Sequence, residues 1–116
     1  MKISGTIITL NAEKYISRAV KSLSNICDEV IVLDSESSDS TRDIAKSCGA
    51  TVYIQPFLGD GAQKKEASKY TSHDWVFSLD ADEYLDQDLI DFVNNTKLTD
   101  KTVSYTHLTL PTTFGV

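Results

Sequence analysis

Three acids in four residues, Asp80-Ala81-Asp82-Glu83, follow directly on the apolar run Trp75-Val76-Phe77-Ser78-Leu79. Carboxylates are costly to desolvate unless they are paired or hold a cation. If the run is a strand, its alternation sends Asp80 and Asp82 to one side and Ala81 to the other. Two carboxylates on one side of a strand end suit a hard divalent cation. Mg²⁺ takes one or two protein carboxylates and completes its shell with water and phosphate oxygens. A solvated acidic turn that caps the next helix is the alternative, and Asp-x-Asp alone does not separate the two.

The acids can act only if the elements around them bring other polar groups to the same edge. Residues 75–79 read as a strand buried on both faces. Residues 3–10 are rich in Ile and Thr and read as another. Asn11 follows, placed to cap a helix on which Ile16, Ala19, Val20 and Leu23 fall at helical spacing. Residues 29–33 are a second short apolar strand that ends at Asp34, before the polar loop Ser35-Glu36-Ser37-Ser38-Asp39. Asp39 or Ser40 caps a second helix, and Gly49 is its left-handed stop. Residues 51–54 form a third strand. Gly59-Asp60-Gly61 reads as a flexible loop, and residues 62–70 as a third helix carrying Lys64, Lys65 and Lys69. Asp86 caps a fourth helix whose apolar stripe is Leu89, Ile90 and Val93.

Composition narrows the function classes. A chain of 116 residues is one domain or part of one. Seventeen acids against 11 bases give a net charge of −6, which argues against non-specific binding to nucleic acid and suits recruitment of a metal cation. Cys27 and Cys48 have neither a Cys-x-x-Cys nor a zinc spacing, and read as small buried apolar residues in a reducing compartment. There is no leader pattern and no apolar run near ~18 residues. The expectation is a cytoplasmic chain, with peripheral contact at the inner membrane left open.

Strands alternating with helices of this length predict an α/β fold, a Rossmann-like parallel sheet with crossover helices. Ligands of such sheets sit outside the C-terminal ends of the strands. Those ends carry Thr9 and Asn11, then Asp34, then Asp80 and Asp82. Acids scattered at random would not gather on one edge, so the pattern favours a site there.

Four stretches together resemble family-2 glycosyltransferases of the GT-A fold, in their bacterial branch of lipopolysaccharide-core glucosyltransferases. They are Ile3-Ser4-Gly5-Thr6-Ile7-Ile8-Thr9-Leu10-Asn11-Ala12-Glu13, Asp28-Glu29-Val30-Ile31-Val32-Leu33-Asp34-Ser35, Ser38-Asp39-Ser40-Thr41 and Asp80-Ala81-Asp82-Glu83. The resemblance implies a nucleotide-sugar donor, expected to be a UDP-sugar, with a divalent metal (Mg²⁺ or Mn²⁺) gripping its diphosphate. It implies a glycan or lipid-linked acceptor in cell-envelope glycan synthesis. Thr9 and the loop of Asn11 and Glu13 would border the nucleotide, and Asp34 would help hold the base. Asp80 would lie near the donor ribose, Asp82 would ligate the metal, and Lys64 would face the phosphates. Each has a plainer reading: Thr9 as a β-former, Asn11 as a cap, Asp34 as a turn residue, Lys64 as a solvated lysine.

The departures from the family are specific. Relatives usually have Gly where this chain has Glu36, and Gly permits positive φ and close approach to a ligand. Glutamate adds an anion there, and Glu36→Gly is expected to tighten UDP binding. Lys64-Lys65 replaces a more familiar Arg-Asn pair. The family continues into an acceptor-binding half that supplies the catalytic base of inverting enzymes. No base is therefore assigned here, and Glu83 is expected to support the loop or the metal shell. Residues 1–98 are expected to form the donor-binding portion of a truncated GT-A domain. Residues 99–116 read as an atypical tail not native to the family, in which Val103 to Thr113 resembles translated sequencing-adaptor read-through; a natural β-rich tail is the alternative, and removal of residues 101–116 is expected to cost little stability.

Overall fold

The computed structural model describes residues 2–99 and 108–109. Five parallel strands form one sheet: β1 (Ile3–Thr9), β2 (Glu29–Asp34), β3 (Thr51–Ile54), β4 (Trp75–Asp80) and β5 (Leu108–Thr109), in the order β3-β2-β1-β4-β5. Helices α1 (Ile16–Leu23), α2 (Thr41–Ser47) and α3 (Asp60–Ser68) connect the first four strands, and α4 (Gln87–Thr99) follows β4. This is the Rossmann-like sheet with crossover helices that the alternating pattern predicts. The chain builds β1, β2 and β3 outward in one direction, then crosses back to lay β4 on the other side of β1. The reversal opens a crevice at the C-terminal ends of β1 and β4.

The β-branched composition of β1 and β2 fits strands covered on both faces. Ile3, Ile7, Val32 and Leu33 are fully buried, as is Phe77 of β4. On α1, Ile16, Ala19, Val20 and Leu23 form one buried stripe at spacings of three and four. Each large apolar side chain so buried contributes about 1.5–3 kcal/mol. The helix end lies close on the sheet at Gly5, where an added Cβ would come within 3.0 Å of both Cys27 Sγ and Leu23 Cδ1. Neither cysteine is in a disulfide among the described residues; both are half-buried and packed against the core.

Helix ends depart from expectation in two places. Asn11 does not cap α1, which begins at Ile16 with Tyr15 as N-cap and no side-chain cap bond. Instead Asn11 adopts φ 50° and turns its side chain to a neighbouring loop. Residues 60 and 61 are not loop but the first turn of α3, entered through Gly59 at φ 101°. Asp60 there places an acid at the helix N-terminus, where the backbone dipole favours it. Other ends form as read. Asp86 Oδ1 accepts the Leu89 N–H at 2.9 Å, and Gly49 at φ 96° ends the α2 segment.

Of the tail expected to be foreign, the described part is Thr99, where α4 ends, and Leu108–Thr109, which pairs in parallel with Phe77 and Ser78. The remainder of the tail lies outside the described residues.

Candidate functional site

Two loops leave the C-terminal edge side by side, and their side chains cap each other's backbone. The register of the parallel pair sets Thr9 beside Asp34, so the loops after β1 and β2 start level. The Asn11 N–H donates to Ser37 Oγ at 2.8 Å, and Asn11 Oδ1 accepts the Ser38 N–H at 2.8 Å. Ala12 N–H donates to Thr41 Oγ1 at 2.8 Å. Glu13 N–H donates to Asp39 Oδ2, and Glu13 Oε2 accepts the Ser40 N–H at 3.1 Å. Loop backbone that no strand can pair is thereby satisfied from the opposite loop.

Asp34 is the hub of this arrangement, and it is fully buried. Its Oδ1 accepts from Thr9 Oγ1 at 2.7 Å and Ser37 Oγ at 2.6 Å. Its Oδ2 accepts from the Ser37 N–H and from Arg42 Nη1, each at 2.8 Å. Burial alone would raise the carboxyl's pKa, but the bonds from Ser37, Thr9 and Arg42 together outweigh it and hold it below its ordinary value.

Glu36 sits at the crown of the second loop, exposed, with φ 63°. The backbone thus takes the glycine-favouring conformation although the residue is glutamate. A left-handed conformation costs a non-glycine residue about 1–2 kcal/mol. Glu36→Gly is expected to raise stability by about 1 kcal/mol once the added freedom of the unfolded chain is deducted. A denaturant midpoint at or below that of the parent would show that the glutamate makes a compensating contact.

Beyond these loops lies an open cleft of about 420 Å³, lined by Ile8, Thr9, Leu10, Ser35, Phe57, Asp60, Gln63, Lys64, Asp80 and Asp82. At the β4 end, Lys64 Nζ lies 3.4 Å from Asp80 Oδ1, with the side chains 43% and 37% exposed. Asp82 is exposed, and its carboxylate has no partner among the described residues. Ala81 packs towards the core, but β4 ends at Asp80 and residues 81–82 form a turn, so the turn rather than strand alternation parts Ala81 from the two acids. The rest of the lining mixes apolar Ile8, Leu10 and Phe57 with polar Thr9, Ser35, Gln63 and the acid Asp60; Leu10 and Phe57 are 58% and 59% exposed.

Glu83 completes the acidic turn from behind. It is buried, its Oε1 accepts the Asp80 N–H at 2.8 Å, and its own N–H donates to the Asp80 carbonyl at 3.0 Å. Burial raises its pKa, and the charges of Asp80 and Asp82 add to the rise against that hydrogen bond and Lys64. Its carboxylate closes the turn and does not line the cleft.

Of the seven residues singled out in the sequence, Thr9, Lys64, Asp80 and Asp82 line the cleft together. Asn11, Glu13 and Asp34 stand behind it in the interlocked loops. Sequence reasoning passed over Ser35, Phe57, Asp60, Gln63 and Arg42. Gln63 had a readable signal, because it shares the buried face of α3 with Ala67, and a polar residue on a buried face needs partners. Arg42 had none, since its bond to Asp34 depends on the path of the loop between them.

The residues fit a divalent cation. Two carboxylates converge on the cleft, one is unpartnered among the described residues, and the other already draws an ammonium group. Among the described residues no group of three or more His, Cys, Asp or Glu could hold a metal by itself. A cation here would take few protein ligands and complete its shell from a phosphate ligand and water, as Mg²⁺ and Mn²⁺ do.

A parallel α/β sheet with crossover helices and an acidic cleft at its switch point is an architecture of the GT-A kind. The chain belongs to glycosyl transferase family 2, whose model matches residues 4–105. It is 52% identical over 90 residues to an uncharacterized glycosyltransferase of Rickettsia typhi, covering 78% of this chain and 31% of that protein. It is 35% identical over 94 residues to a lipopolysaccharide core biosynthesis glycosyltransferase of Rhizobium meliloti, covering 77% of this chain and 34% of that one. The structure is similar to glucosyl-3-phosphoglycerate synthase of Mycobacterium tuberculosis, with a TM-score of 0.68 at 30% identity, over 84% of this chain and 40% of the other. The same enzyme in complex with Mn²⁺, UDP and glucosyl-3-phosphoglycerate matches with a TM-score of 0.66 at 29% identity, over 86% and 40%. The chain thus spans about a third of the length of these curated relatives. No helix among the described residues is long and apolar enough to cross a membrane.

Proposed function

We propose that residues 1–98 bind the nucleotide diphosphate of a sugar donor, expected to be a UDP-sugar, through a divalent cation. In the longer proteins to which the chain is related, the sugar would pass to a glycan or lipid-linked acceptor in cell-envelope synthesis. The observation that carries the reading is the meeting of Asp80, Asp82 and Lys64 in one cleft at the switch point of the sheet. The similarity to an enzyme crystallised with Mn²⁺ and UDP supports it, as does the relative named for lipopolysaccharide core biosynthesis.

In this reading Asp82 holds the metal, and Asp80 faces the donor ribose from the end of β4. The bound cation would neutralise the charge that builds on the leaving diphosphate. Thr9, at the end of β1, lines the cleft and would border the nucleotide. Asn11, Glu13 and Asp34 act on the nucleotide through the loops they lock. Titrating UDP with and without Mn²⁺ tests the reading. Binding that needs Mn²⁺ supports it, and no binding in either condition sinks it. Donor hydrolysis, assayed next, separates an enzyme from a binding module. The module has one specific observation in its favour: Glu83, the acid next to the proposed metal ligand, is buried and engaged in closing the turn.

Lys64 has two roles of opposite sign. Its positive charge, beside Asp80, opposes a cation held at Asp82 and attracts the diphosphate. Lys64→Gln is expected to tighten binding of Mn²⁺ alone by about two- to fivefold, the span of a half-exposed ion pair. The same change should weaken binding of UDP with Mn²⁺. Mn²⁺ titration by paramagnetic resonance reads the first effect and calorimetry the second. Two effects of the same sign would show that Lys64 serves only one of the partners.

A further inference from the structure

Ser22 is a polar side chain on the core stripe of α1, only 8% exposed. Alanine would suit such a position better, since serine is the poorer helix former and a buried hydroxyl must be matched. The hydroxyl is matched twice. Its proton goes to the Ala19 carbonyl at 3.0 Å, and a lone pair accepts the Leu85 N–H at 3.1 Å. The first bond is local to the helix. The second reaches 63 residues along the chain, to the segment just beyond Asp82. Leu85 is itself buried, so its N–H has no water to turn to.

One turn earlier on the same helix, the Arg18 guanidinium lies over the Tyr84 ring, 3.9 Å from its centroid. The quadrupole of an aromatic face attracts a cation placed there. Every residue from 83 to 86 is thereby tied down. Glu83 is held on the Asp80 backbone, Tyr84 under Arg18, Leu85 on Ser22, and Asp86 on the Leu89 N–H at the start of α4. The Asp82 side chain has no tie of its own among the described residues, and takes its position from those that follow it.

A divalent ion makes that position matter. Mg²⁺ demands near-ideal octahedral geometry with oxygens at about 2.0–2.1 Å, whereas Ca²⁺ accepts irregular shells at about 2.3–2.6 Å. A turn that is free to shift offers its carboxylate in the right place only part of the time. Apparent affinity falls by that fraction, and it falls most for the stricter ion.

We infer that Ser22 and Arg18 are positioning residues for Asp82, and that α1 is the mount that holds the acidic turn to the geometry a small divalent cation requires. The inference rests on Asp82 being the metal ligand of the proposed donor site. It extends that site to a helix that does not line the cleft.

The test is displacement of Mn²⁺ by Mg²⁺ and by Ca²⁺ from the full chain with UDP, read by paramagnetic resonance. Both competitors carry the same charge. Loss of the Arg18 cation, or of overall stability, therefore moves the two alike and cancels in their ratio, and only geometry separates them. In Ser22→Ala the preference for Mg²⁺ over Ca²⁺ is expected to fall about two- to fivefold, within the span of one hydrogen bond. Arg18→Gln, on the exposed side of the helix, is expected to lower it about twofold, within the span of an exposed cation–π contact. Arg18→Lys keeps a cation for the ring and should stay closer to the parent. Should Ser22→Ala fail to fold, the two Arg18 variants decide alone. A preference unchanged in Ser22→Ala and Arg18→Gln overturns the inference and leaves the metal site standing. If the parent with UDP holds no Mn²⁺ beyond what UDP holds by itself, the proposed donor site falls, and this inference with it.

Discussion

Asp34→Asn is expected to cost about 2–3 kcal/mol of stability at neutral pH. The carboxylate is fully buried and receives four hydrogen bonds, two on each oxygen. An amide replaces one of those oxygens with a donor, which must face either Arg42 and the Ser37 N–H or the hydroxyls of Thr9 and Ser37. Breaking a buried charge pair by removing one partner costs about 3–5 kcal/mol. Arg42 is 33% exposed, so water recovers part of that loss for the guanidinium. The effect has a pH signature. Since the folded state holds this carboxyl below its ordinary value of 3.8, its contribution is complete above that value and is lost as pH falls through the lower folded one. The stability gap between parent and Asp34→Asn should therefore be constant near pH 7 and close under strong acid. Glu29 and Asp39 are also held low, but both proteins keep them, so the difference isolates Asp34. Urea unfolding at several pH values measures it. A gap under 1 kcal/mol, or one that does not narrow in acid, would remove Asp34 from the centre of the interlock.

The fold was legible because its signals are local. The apolar stripe of Ile16, Ala19, Val20 and Leu23 can face only one way, and the β-branched runs of β1 and β2 can be covered only in a sheet with helices on both faces. The strand-end rule then located the cleft, because polar residues at strand ends are brought together by topology whatever the loops do. What the sequence did not reveal depends on loop paths. Asn11 looks like a cap because the residue type is right and the helix is near. Its actual partner, the Ser38 backbone, is 27 residues away and becomes a neighbour only when β1 and β2 pair in register. Asp34 was legible as a polar strand end but not as a saturated one, since Arg42 and Ser37 reach it only through the turn at Glu36. Gln63 was readable in principle from the buried face of α3, yet that helix is short and its start was placed two residues late.

Asp82→Asn is expected to weaken Mn²⁺-dependent UDP binding by on the order of a hundredfold, since a metal contributes several kcal/mol to holding phosphoryl charge. Stability should change by no more than about 0.5 kcal/mol, as for a surface substitution that breaks no packing or buried bond. The two halves of the expectation come from the same geometry. Asp82 is exposed and has no partner among the described residues, so its carboxylate is free for a cation and contributes nothing to the turn. The turn is held instead by Glu83 on the Asp80 backbone. Asp80→Asn is the contrasting variant. Its carboxylate is partly neutralised by Lys64, and losing it frees that lysine for the diphosphate, so the net loss of UDP affinity should be smaller. Calorimetric titration of UDP at fixed Mn²⁺, with a denaturant midpoint for each variant, decides between them. Undiminished Mn²⁺-dependent binding in Asp82→Asn would move the metal to other ligands. A larger loss in Asp80→Asn than in Asp82→Asn would make Asp80 the principal ligand, and the roles proposed for the two acids would have to be exchanged.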